Sequence, residues 1–121
     1  MKPKVLLIED SQRWGDEIVS KLGERCDVTW LKTGTDALEL VEKCPYHIVI
    51  VDCGITPVVP YLVDFISKLH LIFTGMLIVG THTGELQCSR ESLISAGVAN
   101  IFLKEEVAEK TKSLLASEVS S

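Results

Sequence analysis

The chain has 121 residues, enough for one domain with a proper buried core. Its formal charge is −5, from 12 basic and 17 acidic residues, and without a Lys/Arg stripe this argues against a nucleic-acid surface. No apolar stretch approaches the roughly 18 residues that a membrane span needs, and Met1-Lys2-Pro3-Lys4 enters a strand-like run without a signal-peptide cleavage pattern, so a soluble, cytoplasmic protein is expected.

In chain order, Val5-Leu6-Leu7-Ile8 is a first strand that stops at Glu9-Asp10. Ser11 is placed to cap a helix whose apolar positions Trp14, Ile18 and Leu22 recur every four residues, with Gly23 weakening its end. Asp27 to Leu31 reads as a short second strand, polar enough at Asp27 and Thr29 for a sheet edge. After Thr33-Gly34, the segment from Asp36 to Glu42 predicts a helix, ended by Pro45. Ile48-Val49-Ile50-Val51 stops at Asp52, and Gly54, Pro57 and Pro60 hold a loop open behind it. A third helix is expected from Tyr61 to about Leu71, with Leu62, Phe65, Ile66 and Leu69 on its apolar side. Met76 to Val79 reaches Thr81 after one glycine, and a ragged helix is expected from Glu85 to Ala96, stopped by Gly97. Ile101-Phe102-Leu103 stops at Lys104, and Glu105 to about Ala116 makes the last helix.

Short apolar runs alternating with helices imply parallel strands buried on both faces. Right-handed crossovers then give a doubly wound α/β sandwich, a flavodoxin-like (βα)5 fold of three layers with strand order 2-1-3-4-5. Ligands in such sheets gather beyond the carboxyl ends of the strands, so Glu9, Asp10, Asp52, Thr81 and Lys104 are expected at one edge. Each has an ordinary reading when taken alone. Asp10 reads equally as a helix cap, Thr81 as a turn hydroxyl and Lys104 as a solvated charge. Together they suit a divalent cation and a phosphoryl group. A carboxylate can attack phosphorus to give an acyl phosphate, but an anion must then approach an anion. Three carboxylates against one ammonium leave an excess of two negative charges, which Mg²⁺, a hard oxygen-seeking ion, would cancel. Phosphoryl transfer is catalysed mostly by such positioning and charge stabilisation.

The four cysteines (Cys26, Cys44, Cys53, Cys88) lie far apart with no C-x-x-C pair, and reduced thiols are expected. Cys53, beside Asp52, is the one candidate for a redox role.

The fragments VLLIEDS, GTDALELV, HIVIVD, LIVGT and AGVANIFLK, in this order and spacing, resemble the receiver domain of two-component response regulators over nearly the whole chain. The resemblance implies a single receiver domain over 1–121, with an ordered core of about 3–116 and a frayed tail. It implies that Asp52 accepts a phosphoryl group from a histidine kinase or phosphotransfer protein. Glu9, Asp10, Asp52 and the backbone carbonyl of Gly54 would hold Mg²⁺, Thr81 would be the switch hydroxyl, and Lys104 would contact the phosphoryl oxygens. A receiver of this kind phosphorylates and dephosphorylates itself without being a turnover enzyme. It would act on an unknown output partner or output domain, with homodimerisation through the last helices as one option.

Four features depart from the family pattern. Glu105 replaces the usual proline after the lysine, so a trans bond is expected there, because a non-proline cis bond costs about 3–4 kcal/mol. Ile101 stands where a switch aromatic is usual, and Phe102 should face the other side of the strand. His82 replaces a small residue after Thr81, at the mouth of the site; it reads first as a solvent-exposed loop imidazole, and alternatively as a group that would screen the acyl phosphate or assist its hydrolysis. Val58-Val59 makes the loop behind Asp52 unusually apolar. These departures keep open a second function, a phosphorylation-independent interaction module. A flavin binder is disfavoured, since Glu9-Asp10-Ser11 would repel a phosphate after the first strand. An aspartate phosphatase would want an acid where Gly54 stands.

Overall fold

The computed structural model describes residues 2–55, 61–72 and 75–120, with side chains described as far as residue 116. Ten elements alternate: β1 (Lys4–Ile8), α1 (Gln12–Leu22), β2 (Asp27–Leu31), α2 (Ala37–Lys43), β3 (Ile48–Asp52), α3 (Leu62–Ile72), β4 (Leu77–His82), α4 (Arg90–Ala96), β5 (Val98–Leu103) and α5 (Val107–Ser120). The five strands form one parallel sheet in the order β2-β1-β3-β4-β5. This is the doubly wound architecture and strand order that the sequence predicts.

The period of two along each strand divides the core into two layers. Leu6, Ile8, Val49, Val51, Ile78 and Val98 face one side, against Ala37 and Val41 of α2, Leu62, Phe65, Ile66 and Leu69 of α3, and Leu93 of α4. Val5, Leu7, Ile48, Ile50 and Val79 face the other, against Ile18 and Leu22 of α1 and Val107, Ala108 and Leu115 of α5. Both faces of β1 and β3 are therefore dry. Their polar residues Glu9 and Asp52 fall at the carboxyl ends, where the crossovers leave a crevice.

Ser11 caps α1 as expected, its hydroxyl accepting the Trp14 N–H at 3.3 Å, so Asp10 is not the cap. One element begins later than the sequence suggests. Residues 85–89 are not helical, and α4 starts at Arg90 behind the cap Ser89. Instead, Leu86 pairs with Gly54 in an isolated antiparallel bridge, and the Gln87 N–H donates to the Cys53 carbonyl at 2.9 Å. Leu86 and Cys88 pack on the core beneath, and this long-range contact outweighs the local helical pattern. At the other end, α5 continues to Ser120, past the expected end near Ala116, because no glycine or proline interrupts residues 117–120. Pro57, Val58, Val59 and Pro60, singled out in the sequence, lie outside the described residues. Among the described residues, no helix is long and apolar enough to cross a membrane.

Candidate functional site

The β1–β3 pairing sets Ile8 beside Val51, so the residues that follow each strand emerge together. Glu9, Asp10 and Asp52 each bring a carboxylate oxygen to within 4.8 Å of the others. Glu9 and Asp52 are buried, at 1% and 4% exposure, while Asp10 is open to solvent. From β5, Lys104 reaches under this cluster. Its Nζ lies 2.7 Å from Glu9 Oε1 and donates to Asp52 Oδ2 at 3.1 Å. The Lys104 side chain is itself only 8% exposed.

The other oxygens are also held. Glu9 Oε2 accepts the Ser11 N–H at 3.1 Å, and Asp52 Oδ1 accepts the Gly54 N–H at 2.9 Å. The contact between Lys104 and Glu9 Oε1 lies off the hydrogen-bond direction, which leaves that oxygen with accepting capacity to spare. Burial raises the pKa of Glu9 most, Lys104 pulls it back, and the charge of Asp52 adds to the rise. Desolvation, more than the like charge of Asp52, is thus the cause of the rise. Burial alone would lower the pKa of Lys104, but Glu9 and Asp52 outweigh it and the ammonium is held above its ordinary value.

The three carboxylates form an all-oxygen set, and Lys104 pairs with two of them, Glu9 and Asp52. This set fits a small divalent ion of the Mg²⁺ type, with Asp10 supplying the solvent side. The backbone of Gly54 runs beside Asp52. In a bridge flanked by the Gln87-to-Cys53 hydrogen bond, the N–H and C=O of Gly54 point away from Leu86, on the side where its N–H meets Asp52.

Thr81 sits opposite Asp52 in the β3–β4 ladder and is buried. Its hydroxyl is 3.5 Å from the Val51 carbonyl and makes no bond to Asp52. His82 is also buried, not exposed, and its Nδ1 accepts the Gly84 N–H at 3.0 Å. Burial, and then Arg90, lower its pKa. With Trp14, Thr83, Leu103, Lys104 and Glu105 it lines a cleft of about 100 Å³, which shares Lys104 with the carboxylate cluster.

The departures noted in the sequence resolve in part. No cis peptide occurs among the described residues, so Lys104–Glu105 is trans, and Glu106 closes the turn by accepting the Leu103 N–H at 3.1 Å. Ile101 packs into the α2–α4 layer and Phe102 into the α1–α5 layer, on opposite faces as expected. All four cysteines are free, and burial, followed by the charge of Asp52, pushes the Cys53 thiol up to about 12. A thiol so far from ionising is a poor redox centre.

One contributor has no signal in the sequence. Trp30, on the edge strand β2, donates its indole N–H to the Glu9 carbonyl at 2.8 Å. It therefore braces the first acidic residue. Trp14 is half-buried at the cleft, so Mg²⁺ is expected to change tryptophan emission, and Asp10→Asn to abolish the change. Titrating Trp14→Phe alongside would apportion the signal between the two indoles. An Mg²⁺ response that persists in Asp10→Asn would place the ion elsewhere.

No protein-family model matches the chain, and no curated protein matches it either. Solved structures do. A CheY-like response-regulator receiver domain from Methylobacillus flagellatus superposes with a TM-score of 0.77 at 16% identity, over 97% of this chain and 98% of that one. The response regulator DrrB of Thermotoga maritima gives 0.79 at 17%, over 98% of this chain and 54% of the longer regulator. A Burkholderia pseudomallei response regulator, whose structure contains a phosphorylated aspartic acid and a calcium ion, gives 0.73 at 19%, over 98% and 71%. Strand order, helix placement and near-complete coverage agree on one assignment: this chain has the CheY-like fold of response-regulator receiver domains.

Proposed function

We propose that the chain is a signalling receiver that accepts a phosphoryl group on Asp52 from the phosphohistidine of a kinase or phosphotransfer protein, with Mg²⁺ as cofactor. The observation that carries this reading is the buried bridge of Lys104 between Glu9 and Asp52, with Asp10 in the same cluster. A dry, paired lysine of this kind costs desolvation and is seldom retained for stability alone. Here it neutralises Asp52 and stands ready to meet the oxygens of an incoming phosphoryl group. The metal, when bound by Glu9, Asp10, Asp52 and the Gly54 carbonyl, supplies the remaining positive charge. Thr81 lies one strand away from the new group, and a turn of its hydroxyl off Val51 would report phosphorylation to the segment leading to α4.

The test is incubation with acetyl phosphate and Mg²⁺, read on phosphate-sensitive gels. The native protein should shift, and Asp52→Asn should not. No Asp52-dependent shift, with acetyl phosphate or with a phosphorylated kinase, would leave the phosphorylation-independent interaction module. The observation that favours that alternative is Ile101, which packs into the core where the family pattern has a mobile aromatic.

A further inference from the structure

At the amino end of the parallel sheet, a strand's length from the carboxylates, three segments close around a second cavity. Pro3 leads into β1, its carbonyl accepting the Asp27 N–H at 2.9 Å, and Arg25 and Cys26 belong to the turn between α1 and β2. The later turns of α5 bring in Lys112, Leu115 and Ala116, and these six residues line a cleft of about 200 Å³. Cys26 and Leu115 are buried members of the α1–α5 core layer, so the floor is apolar. The mouth is cationic. Arg25 is exposed and forms no ion pair among the described residues. Lys112 meets only Glu109, 3.1 Å away and 71% exposed, and a surface pair of this kind contributes little and exchanges readily. Lys2 anchors on the same turn, its Nζ donating to the Gly23 carbonyl at 3.2 Å. Burial raises the pKa of Cys26, and Lys112, Lys2 and Arg25 pull it back, so the fields of three cations reach the floor. The neighbouring acids Glu24, Asp27 and Glu109 are all exposed. For a chain of net charge −5, this is a local reversal of sign over an apolar hollow.

We propose that this cleft is a binding site for a small amphipathic carboxylate, with its apolar tail on Pro3, Cys26 and Leu115 and its head group at Arg25 and Lys112. An apolar hollow with a few convergent polar groups is the usual form of a small-molecule site. The volume is below the roughly 300–1,000 Å³ of drug-sized sites, so the occupant is a short-chain acid and not a large cofactor. The guanidinium of Arg25 supplies parallel N–H donors that match a carboxylate, and Lys112 adds a point charge once Glu109 yields it. The tail supplies the burial that a bare anion lacks. The site lies at the opposite end of the strands from Asp52 and stands or falls independently of phosphorylation.

The test is an amide-resolved NMR titration of the full chain with octanoate below its micelle threshold. Saturable shifts centred on Arg25, Cys26 and Leu115 are expected, while Asp10 and Ser11 stay still. Arg25→Gln, at an exposed position, should weaken binding on the order of tenfold, as loss of one charge-assisted hydrogen bond implies. Glu109→Gln should tighten it by freeing Lys112. Ala116→Phe, also at an exposed position, should close the mouth and abolish the shifts with the rest of the spectrum unchanged. Octanol and acetate, which keep the tail or the charge alone, should each bind at least about tenfold more weakly. Equal binding of octanol would show that the cations play no part, and equal binding of acetate that the hollow plays none; either result overturns the proposal. So does octanoate that fails to saturate, including the case where phosphatidylglycerol vesicles bind the chain instead and the patch is a membrane contact.

Discussion

Lys104→Met should lower the stability of the Mg²⁺-free protein at pH 7 by about 3–5 kcal/mol, the usual cost of leaving a buried charge without its partner. The methionine fills the space, so the loss is electrostatic. Glu9 and Asp52 would remain buried and side by side with no cation between them. Two recoveries should accompany the loss in urea unfolding. Mg²⁺ should restore part of it by taking the place of the ammonium. Lowering the pH should restore part of it as well, and the sign can be worked out from Glu9. Its folded pKa is already raised by burial, and removing Lys104 takes away the group that pulls it back. Between its unfolded value of about 4.3 and the raised folded value, the folded state binds more protons, so stability falls as pH rises through that window. The variant should therefore lose more stability than the native protein between pH 4 and 7. Equal slopes would mean that Lys104 does not neutralise this cluster.

Gly15→Ala should destabilise the protein by about 1–3 kcal/mol, the cost typical of overpacking. Helix propensity alone argues the opposite, since alanine in place of an interior helical glycine gains about 1 kcal/mol. The contact decides. A Cβ on Gly15 would lie 1.8 Å from Trp30 Cζ2 and 2.3 Å from two further atoms of the indole, so the ring must move. Its hydrogen bond to the Glu9 carbonyl would be lost with it, at about 0.5–1.5 kcal/mol. Urea unfolding should show the loss, and Trp30 emission should move to the red as the ring meets water. A gain in stability would show that α1 can lift from the edge strand at no cost.

Much of this architecture is legible in the sequence because the physics behind it is local. Four short continuous apolar runs ending on polar residues suit strands dry on both faces, and right-handed crossovers then put Glu9, Asp10, Asp52, Thr81 and Lys104 at one edge. What escaped the sequence depends on contacts between distant residues. Glu85 to Ser89 has a plausible helical pattern, and only the presence of Gly54 opposite Leu86 makes it a strap. Trp30 looks like an edge-strand residue until Gly15 is seen to leave room for its ring against α1. His82 reads as a loop imidazole, yet β4 extends through it and buries it. The direction of the Thr81 hydroxyl, toward Val51, is a matter of rotamer that no spacing reveals.

The ion pair spanning β1, β3 and β5 has a consequence for how the chain is made. Glu9 and Asp52 leave the ribosome well before Lys104, and domains tend to fold as units as synthesis proceeds. Any early docking of the first strand on the third would trap two acids in a dry crevice with their counter-charge still unsynthesised. Such a half-sheet would hold the pair without compensation until the lysine after the fifth strand joins it.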